Sequence, residues 1–134
     1  MISNKQLMNI AFEVSKSSYA RKMQVGALLV KDNRIISTGY NGTLSGLDNE
    51  CEDLFNTTYD YVVHAEANAI INAYKLGIND LEQCEIFITH SPCANCLKLI
   101  AQAGIKKVYF NKLYKYGKPL WAHKLGITFT KVVL

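Results

Sequence analysis

Proline is nearly absent from these 134 residues, at two positions, and glycine occupies only eight. So few chain-breaking residues exclude a collagen-like, proline-rich or low-complexity chain. Long hydrophobic runs are missing too, since none approaches the roughly 18 residues a bilayer-spanning helix needs. Met1-Ile2-Ser3-Asn4-Lys5 lacks the charged-then-apolar layout of a signal peptide. The expectation is a cytoplasmic protein with no membrane partner, or a protein of the host cytoplasm if the source is viral. Charge of one sign is also scarce. Fifteen Lys and Arg against eleven Asp and Glu leave +4, which suits an anionic ligand but does not make a basic nucleic-acid domain.

What is there is apolar: hydrophobic residues make up 49% of the chain, enough for one core. The length points to a single domain, residues 1–134. Four cysteines are present, Cys51, Cys84, Cys93 and Cys96. In a reducing compartment they are not expected to form disulfides. The pair Cys93-Ala94-Asn95-Cys96 then signals metal or redox chemistry.

Apolar spacing at Leu7, Ile10, Ala11 and Val14 predicts an amphipathic helix capped by Ser3 or Asn4. Val25–Val30 and Arg34–Tyr40 read as a hairpin around Lys31-Asp32-Asn33, and residues 41–60 as a loop. A helix follows from His64 to a stop at Gly77, then a strand at Glu85–Thr89 and a helix at Ala94–Ala103 closed by Gly104. Lys107–Phe110 reads as a strand, Pro119–Leu125 as a short helix closed by Gly126, and Ile127–Val133 as a last strand. The order α-β-β-α-β-α-β-α-β predicts an α/β fold. It is a three-layer α/β/α sandwich, a five-stranded mixed sheet with helices on both faces and the later strands parallel.

The chemistry concentrates in two phrases. His64-Ala65-Glu66 opens one helix, and Pro92-Cys93-Ala94-Asn95-Cys96 opens the next. One imidazole and two thiolates are zinc donors, and three protein ligands leave a fourth tetrahedral position open, as in catalytic sites. Helix starts favour thiolates through their partial positive charge and free N–H groups. Residues two apart on a helix point about 200° apart, so Glu66 is read as a base near the metal rather than a ligand beside His64. Other readings use the same residues. Cys93 and Cys96 could be a redox pair. A structural zinc would need a fourth ligand, for which Cys51, Cys84, His90 and His123 are candidates.

The combination H-x-E with P-C-x-x-C is the signature of zinc-dependent nucleobase deaminases. Together with the element order, it makes the chain resemble the cytidine deaminase superfamily across nearly its whole length. Within that superfamily it resembles the deoxycytidylate (dCMP) deaminases. Val25-Gly26-Ala27, Thr38-Gly39-Tyr40-Asn41-Gly42-Thr43, His64-Ala65-Glu66-Ala67-Asn68-Ala69-Ile70, Thr89-His90-Ser91-Pro92-Cys93 and the run from Ile100 to Tyr109 carry this likeness. The resemblance implies zinc-dependent attack of water at C4 of cytosine, yielding dUMP and ammonia. Glu66 would protonate N3 and then the departing amine. It implies that the Ala65 N–H holds the base carbonyl, that the Ser91 carbonyl receives the amino group, that Asn41 contacts the sugar hydroxyl and that Tyr114 closes over the nucleotide. Read locally, Asn41 is equally a turn residue before glycine and Tyr114 an exposed tyrosine.

The chain also departs from the family pattern. Many relatives carry C-x-R before the Val-Gly-Ala strand, whereas here the stretch is Ala20-Arg21-Lys22, with Lys22 in the arginine's place. The loop from Thr43 to Val63 is short, so a second zinc site is not expected. The resemblance further implies a homo-oligomer, a hexamer, with dCTP and dTTP as effectors. These would act near Gly39, Tyr40, Asn41 and Gly42, with Mg2+ accompanying the triphosphate. Alternatives to dCMP are dCTP, a modified cytosine nucleotide, or adenosine in tRNA. A zinc-stabilised binding module is a third class, disfavoured because a scaffold has no use for Glu66.

Overall fold

Ser3 starts the first helix with a capping box: its hydroxyl accepts from the Gln6 N–H at 3.1 Å, and the Gln6 side chain accepts from the Ser3 N–H at 2.9 Å. The computed structural model describes residues 1–114 and 118–134. Helix α1 (Asn4–Ser15) buries Leu7, Met8, Ala11 and Ser15. Its buried stripe is therefore turned slightly from the expected one, with Ile10 and Val14 only half-buried at its edge. Strands β1 (Gly26–Lys31) and β2 (Arg34–Tyr40) form the hairpin. Its turn residues Asp32 and Asn33 both adopt positive φ, 51° and 62°, the two-residue turn whose twist matches paired strands.

The segment read as loop supplies one strand of a small ribbon. β3 (Gly42–Thr43) pairs antiparallel with β4 (Val62–Val63). Then come α2 (Ala65–Lys75), β5 (Glu85–His90), α3 (Ala94–Gln102), β6 (Lys107–Lys112), α4 (Leu120–Lys124) and β7 (Thr128–Lys131). The main sheet runs β2-β1-β5-β6-β7, with β1 antiparallel to both neighbours and β5, β6 and β7 parallel. This is the five-stranded mixed sheet that the element order predicts. None of the helices among the described residues is long and apolar enough to cross a membrane.

The two faces of the sheet are covered unequally. On one side α1 packs Leu7, Met8 and Ala11 against Leu28, Val30 and Phe87. On the other, α2, α3 and α4 supply Ala69, Ala73, Leu97, Ile100 and Ala122 against Ala27, Leu29, Ile86 and Ile88. Alternation along β1 and β5 explains the split, because successive side chains point to opposite faces. Helix α1 lies so close to β1 that a Cβ on Gly26 would sit 2.0 Å from the Ala11 carbonyl oxygen and 2.8 Å from the Ser15 nitrogen. Both are backbone atoms and cannot swing away. Gly26→Ala is therefore expected to destabilise the fold by at least about 3 kcal/mol, the upper end of ordinary overpacking. Urea unfolding checks this, and an unchanged midpoint would mean α1 retreats freely.

Candidate active site

Helix α2 is docked by its asparagines. Asn68 and Asn72 donate side-chain hydrogen bonds to the Tyr40 and Thr38 carbonyls at 2.8 and 2.9 Å, and the Ser37 hydroxyl donates to the Ala69 carbonyl at 2.6 Å. The two asparagine bonds occupy outward carbonyls of β2, an edge strand whose groups would otherwise lack partners. The approach is close. A Cβ on Gly39 would lie 2.3 Å from the Ala65 carbonyl oxygen and 2.4 Å from the Ala69 nitrogen. Gly39 and Tyr40 thus hold the helix start that carries His64 and Glu66, whatever else this region binds.

His64 is the N-cap of α2, and Cys93 is the N-cap of α3 with Cys96 in its first turn. Neither N-cap side chain caps its helix, so both are free to turn towards each other. His64 Nδ1 lies 3.2 Å from Cys96 Sγ and 3.5 Å from Cys93 Sγ. All three donor atoms lie within 4.8 Å of one another. Zn–N and Zn–S bonds of about 2.0–2.1 and 2.3 Å at a tetrahedral angle separate N from S by roughly 3.5 Å. The donor set and its spacing therefore fit a zinc ion. Among the described residues, Cys51, Cys84, His90 and His123 lie outside this cluster. His64 is exposed and Cys96 buried, so the cluster opens to solvent on the histidine side.

Glu66 is 4% exposed and lies beside the cluster without joining it. Burial pushes its carboxyl above the ordinary range, opposed by its own backbone N–H, His64 and Cys96. Burial also pushes the Cys96 thiol up, and Glu66 and Cys93 add to the effect. Three would-be anions at one buried point repel one another, and a divalent cation among them reverses that balance. Such a group can hold a metal and move protons next to it.

His64 and Cys93 of the cluster, with Glu66, line a cleft of about 230 Å³, whose other walls include Lys22, Met23, Asn41, Glu52, Ala65, His90, Ser91 and Tyr114. Ala65 stands at the start of α2, where backbone N–H groups have no partner within the helix. Ser91 N–H donates to the Lys112 carbonyl at 2.9 Å, and Ser91 Oγ accepts from the Tyr114 N–H at 2.6 Å. Asn41 is not a left-handed turn residue. Its Oδ1 accepts from the Val25 N–H at 2.9 Å and its Nδ2 donates to the Met23 carbonyl at 2.8 Å. One lone pair and one N–H of the amide remain for a ligand. Lys22 is exposed at the rim, while Arg21 turns to the Asp53 carbonyl at 3.2 Å.

Glu52 was not legible in the sequence as a cleft residue. It is 2% exposed, and its carboxylate accepts from the Arg21 N–H at 3.0 and 3.2 Å and from the Lys22 N–H at 3.4 Å. It clips the Ala20–Lys22 segment to the loop at residues 51–59 and so sets the wall that carries Lys22.

Residues 1–112 match the family described as the cytidine and deoxycytidylate deaminase zinc-binding region. The fold superposes on a dCMP deaminase from the cyanophage S-TIM5, solved in complex with dCMP and dUMP. Its TM-score is 0.88 and its identity 38%, covering 96% of this chain and 95% of that one. The chain is 36% identical to the deoxycytidylate deaminase of Homo sapiens, covering 94% of this chain and 77% of the relative. It is equally 36% identical to ComE operon protein 2 of Bacillus subtilis, covering 98% of this chain and 71% of that protein.

Proposed function

The chain belongs to the cytidine and deoxycytidylate deaminase family, and we infer that it is a zinc-dependent hydrolase converting dCMP to dUMP and ammonia. The observation that carries this reading is the cluster of His64, Cys93 and Cys96 set beside the buried Glu66 at one cleft. The likeness to a solved dCMP deaminase over nearly the whole chain supports dCMP as the substrate. His64, Cys93 and Cys96 would hold the ion, which when bound supplies an activated water for hydrolysis at C4.

The chain's own residues do the rest. Glu66 delivers one proton to N3 of the ring and a second to the departing amine nitrogen, both originating from the water consumed. The product then carries a carbonyl at C4 and a proton on N3. Burial favours this shuttle, since a carboxyl raised above its ordinary range keeps a transferred proton more readily than an exposed one. The Ala65 N–H holds the base carbonyl, and the Ser91 carbonyl accepts from the amino group that leaves. Asn41 offers its remaining amide positions to the sugar hydroxyl, Tyr114 covers the nucleotide and Lys22 pairs with the 5′-phosphate.

We further propose one deaminase domain over residues 1–134, a cytoplasmic location, and a homo-oligomer, hexameric in form. We propose dCTP and dTTP as effectors near Gly39, Tyr40, Asn41 and Gly42, with Mg2+ accompanying the triphosphate. Light scattering and activity with each triphosphate test the last two.

Ammonia release measured across cytosine, deoxycytidine, dCMP, dCTP and adenosine tests the central reading. The expected result is highest kcat/KM for dCMP. A charged hydrogen bond contributes about 1.5–3 kcal/mol. Lys22→Ala is therefore expected to lower kcat/KM for dCMP by roughly 10- to 100-fold while moving that for deoxycytidine little. Equal kcat/KM for dCMP and deoxycytidine in the parent chain would overturn the phosphate assignment.

A further inference from the structure

His90 ends β5 and lines the cleft, yet it lies outside the metal-ligand cluster. Its Nδ1 is 2.8 Å from the Thr89 hydroxyl oxygen. Thr89 is fully buried, and the same oxygen accepts from the Gly26 N–H at 3.2 Å. A hydroxyl has one proton to give. In a site sealed from water, that proton needs an acceptor, and His90 Nδ1 is the one within reach. If Nδ1 carried the proton instead, the Thr89 oxygen would accept twice and its own proton would be stranded, with the penalty of a buried unmade hydrogen bond.

The direction of this one bond fixes the imidazole. Nδ1 is the acceptor, so the neutral ring carries its proton on Nε2. Burial and the nearby Lys112 hold His90 below its ordinary range, which keeps the ring neutral. Among the described residues, no buried side-chain nitrogen or oxygen lacks a partner. Nε2 makes no bond of its own among the described residues, so it reaches solvent, and the space His90 borders is the cleft.

We propose that His90 is a specificity-determining residue, presenting a neutral Nε2–H donor to an acceptor oxygen of the bound nucleotide, with Thr89 as the positioning residue that locks the tautomer. This rests on the nucleotide reading above and deepens it. The acceptor is an oxygen of the 5′-phosphate or one of the nucleoside itself. The two sources differ in whether deoxycytidine keeps the contact.

The first measurement needs no substrate. Two-bond ¹H–¹⁵N spectra of the zinc-loaded protein are expected to show His90 protonated on Nε2. Thr89→Val, which keeps the shape but loses the hydroxyl, is expected to mix in the Nδ1–H form. The second measurement is kinetic. His90→Phe with zinc content unchanged is expected to raise KM for dCMP about tenfold, a larger effect than on kcat. His90→Gln, which keeps an N–H donor, is expected to recover part of the loss. A KM rise confined to dCMP assigns the phosphate, and one shared with deoxycytidine assigns a nucleoside oxygen. An Nδ1–H tautomer in the parent protein, or an unchanged KM in His90→Phe, would overturn the proposal. Failure of the parent chain to deaminate dCMP would instead overturn the substrate reading and leave the tautomer result standing.

Discussion

Glu66→Gln is expected to bind zinc like the parent, fold like the parent and lose turnover of dCMP by at least about 10²–10⁴-fold. The substitution preserves side-chain volume in a site that is 4% exposed, so packing around the start of α2 should survive. What disappears is the exchangeable proton. The reaction moves two protons from water to substrate nitrogens, and Glu66 is the carboxylate whose charge acts on Cys96 beside the cluster. Glu52 shares the cleft, but its oxygens are engaged by the Arg21 and Lys22 N–H groups. Metal analysis and kcat measured on one preparation make the check. Near-parent turnover in a zinc-loaded variant would remove Glu66 from the proton path.

Much of the frame is legible in the amino-acid order, because its signals are local. Ser3 with Gln6 is a capping pair within four residues. The alternation of apolar residues names β1 and β5, and Gly77, Gly104 and Gly126 end three helices in the left-handed conformation. The two phrases around His64 and Cys93 are also local, and each places its donors at a helix start. A two-residue strand such as β3 is too short to impose any period, so residues 41–60 read as loop throughout.

The walls of the cleft depend on distant partners. Glu52 reads as one acid in the run Glu50-Cys51-Glu52-Asp53, and only its bonds to N–H groups some thirty residues earlier make it a buried clip. His90 reads as a spare ligand, because the hydroxyl that orients it matters only once the Gly26 N–H arrives from another strand. Gly39 reads as part of a family phrase. Its packing against the backbone of α2 emerges only when β2 and that helix meet. Donors within a few residues of a helix start can be read off the chain, whereas the groups that orient them are supplied by tertiary contacts.

Removing the metal is expected to abolish turnover and to lower the melting temperature, both restored by one equivalent of zinc per chain. The ion would join the start of α2, through His64, to the start of α3, through Cys93 and Cys96. Those helices pack on the same face of the sheet, so the ligand bonds stabilise a core contact as well as a reacting centre. A ligand at a thousandfold excess over its Kd adds about 4 kcal/mol, and a chain of this size converts that to a shift on the order of 10 °C. Two thiols must lose protons to bind, so affinity is expected to fall as pH falls and protons to be released on loading. Cys96→Ala should cost the ion and the activity together. Cys51→Ala and Cys84→Ala should keep the ion, because both thiols lie outside the donor cluster. Loss of zinc from either of these two variants, with Cys96→Ala still loaded, would show that the metal is held by a different set of donors.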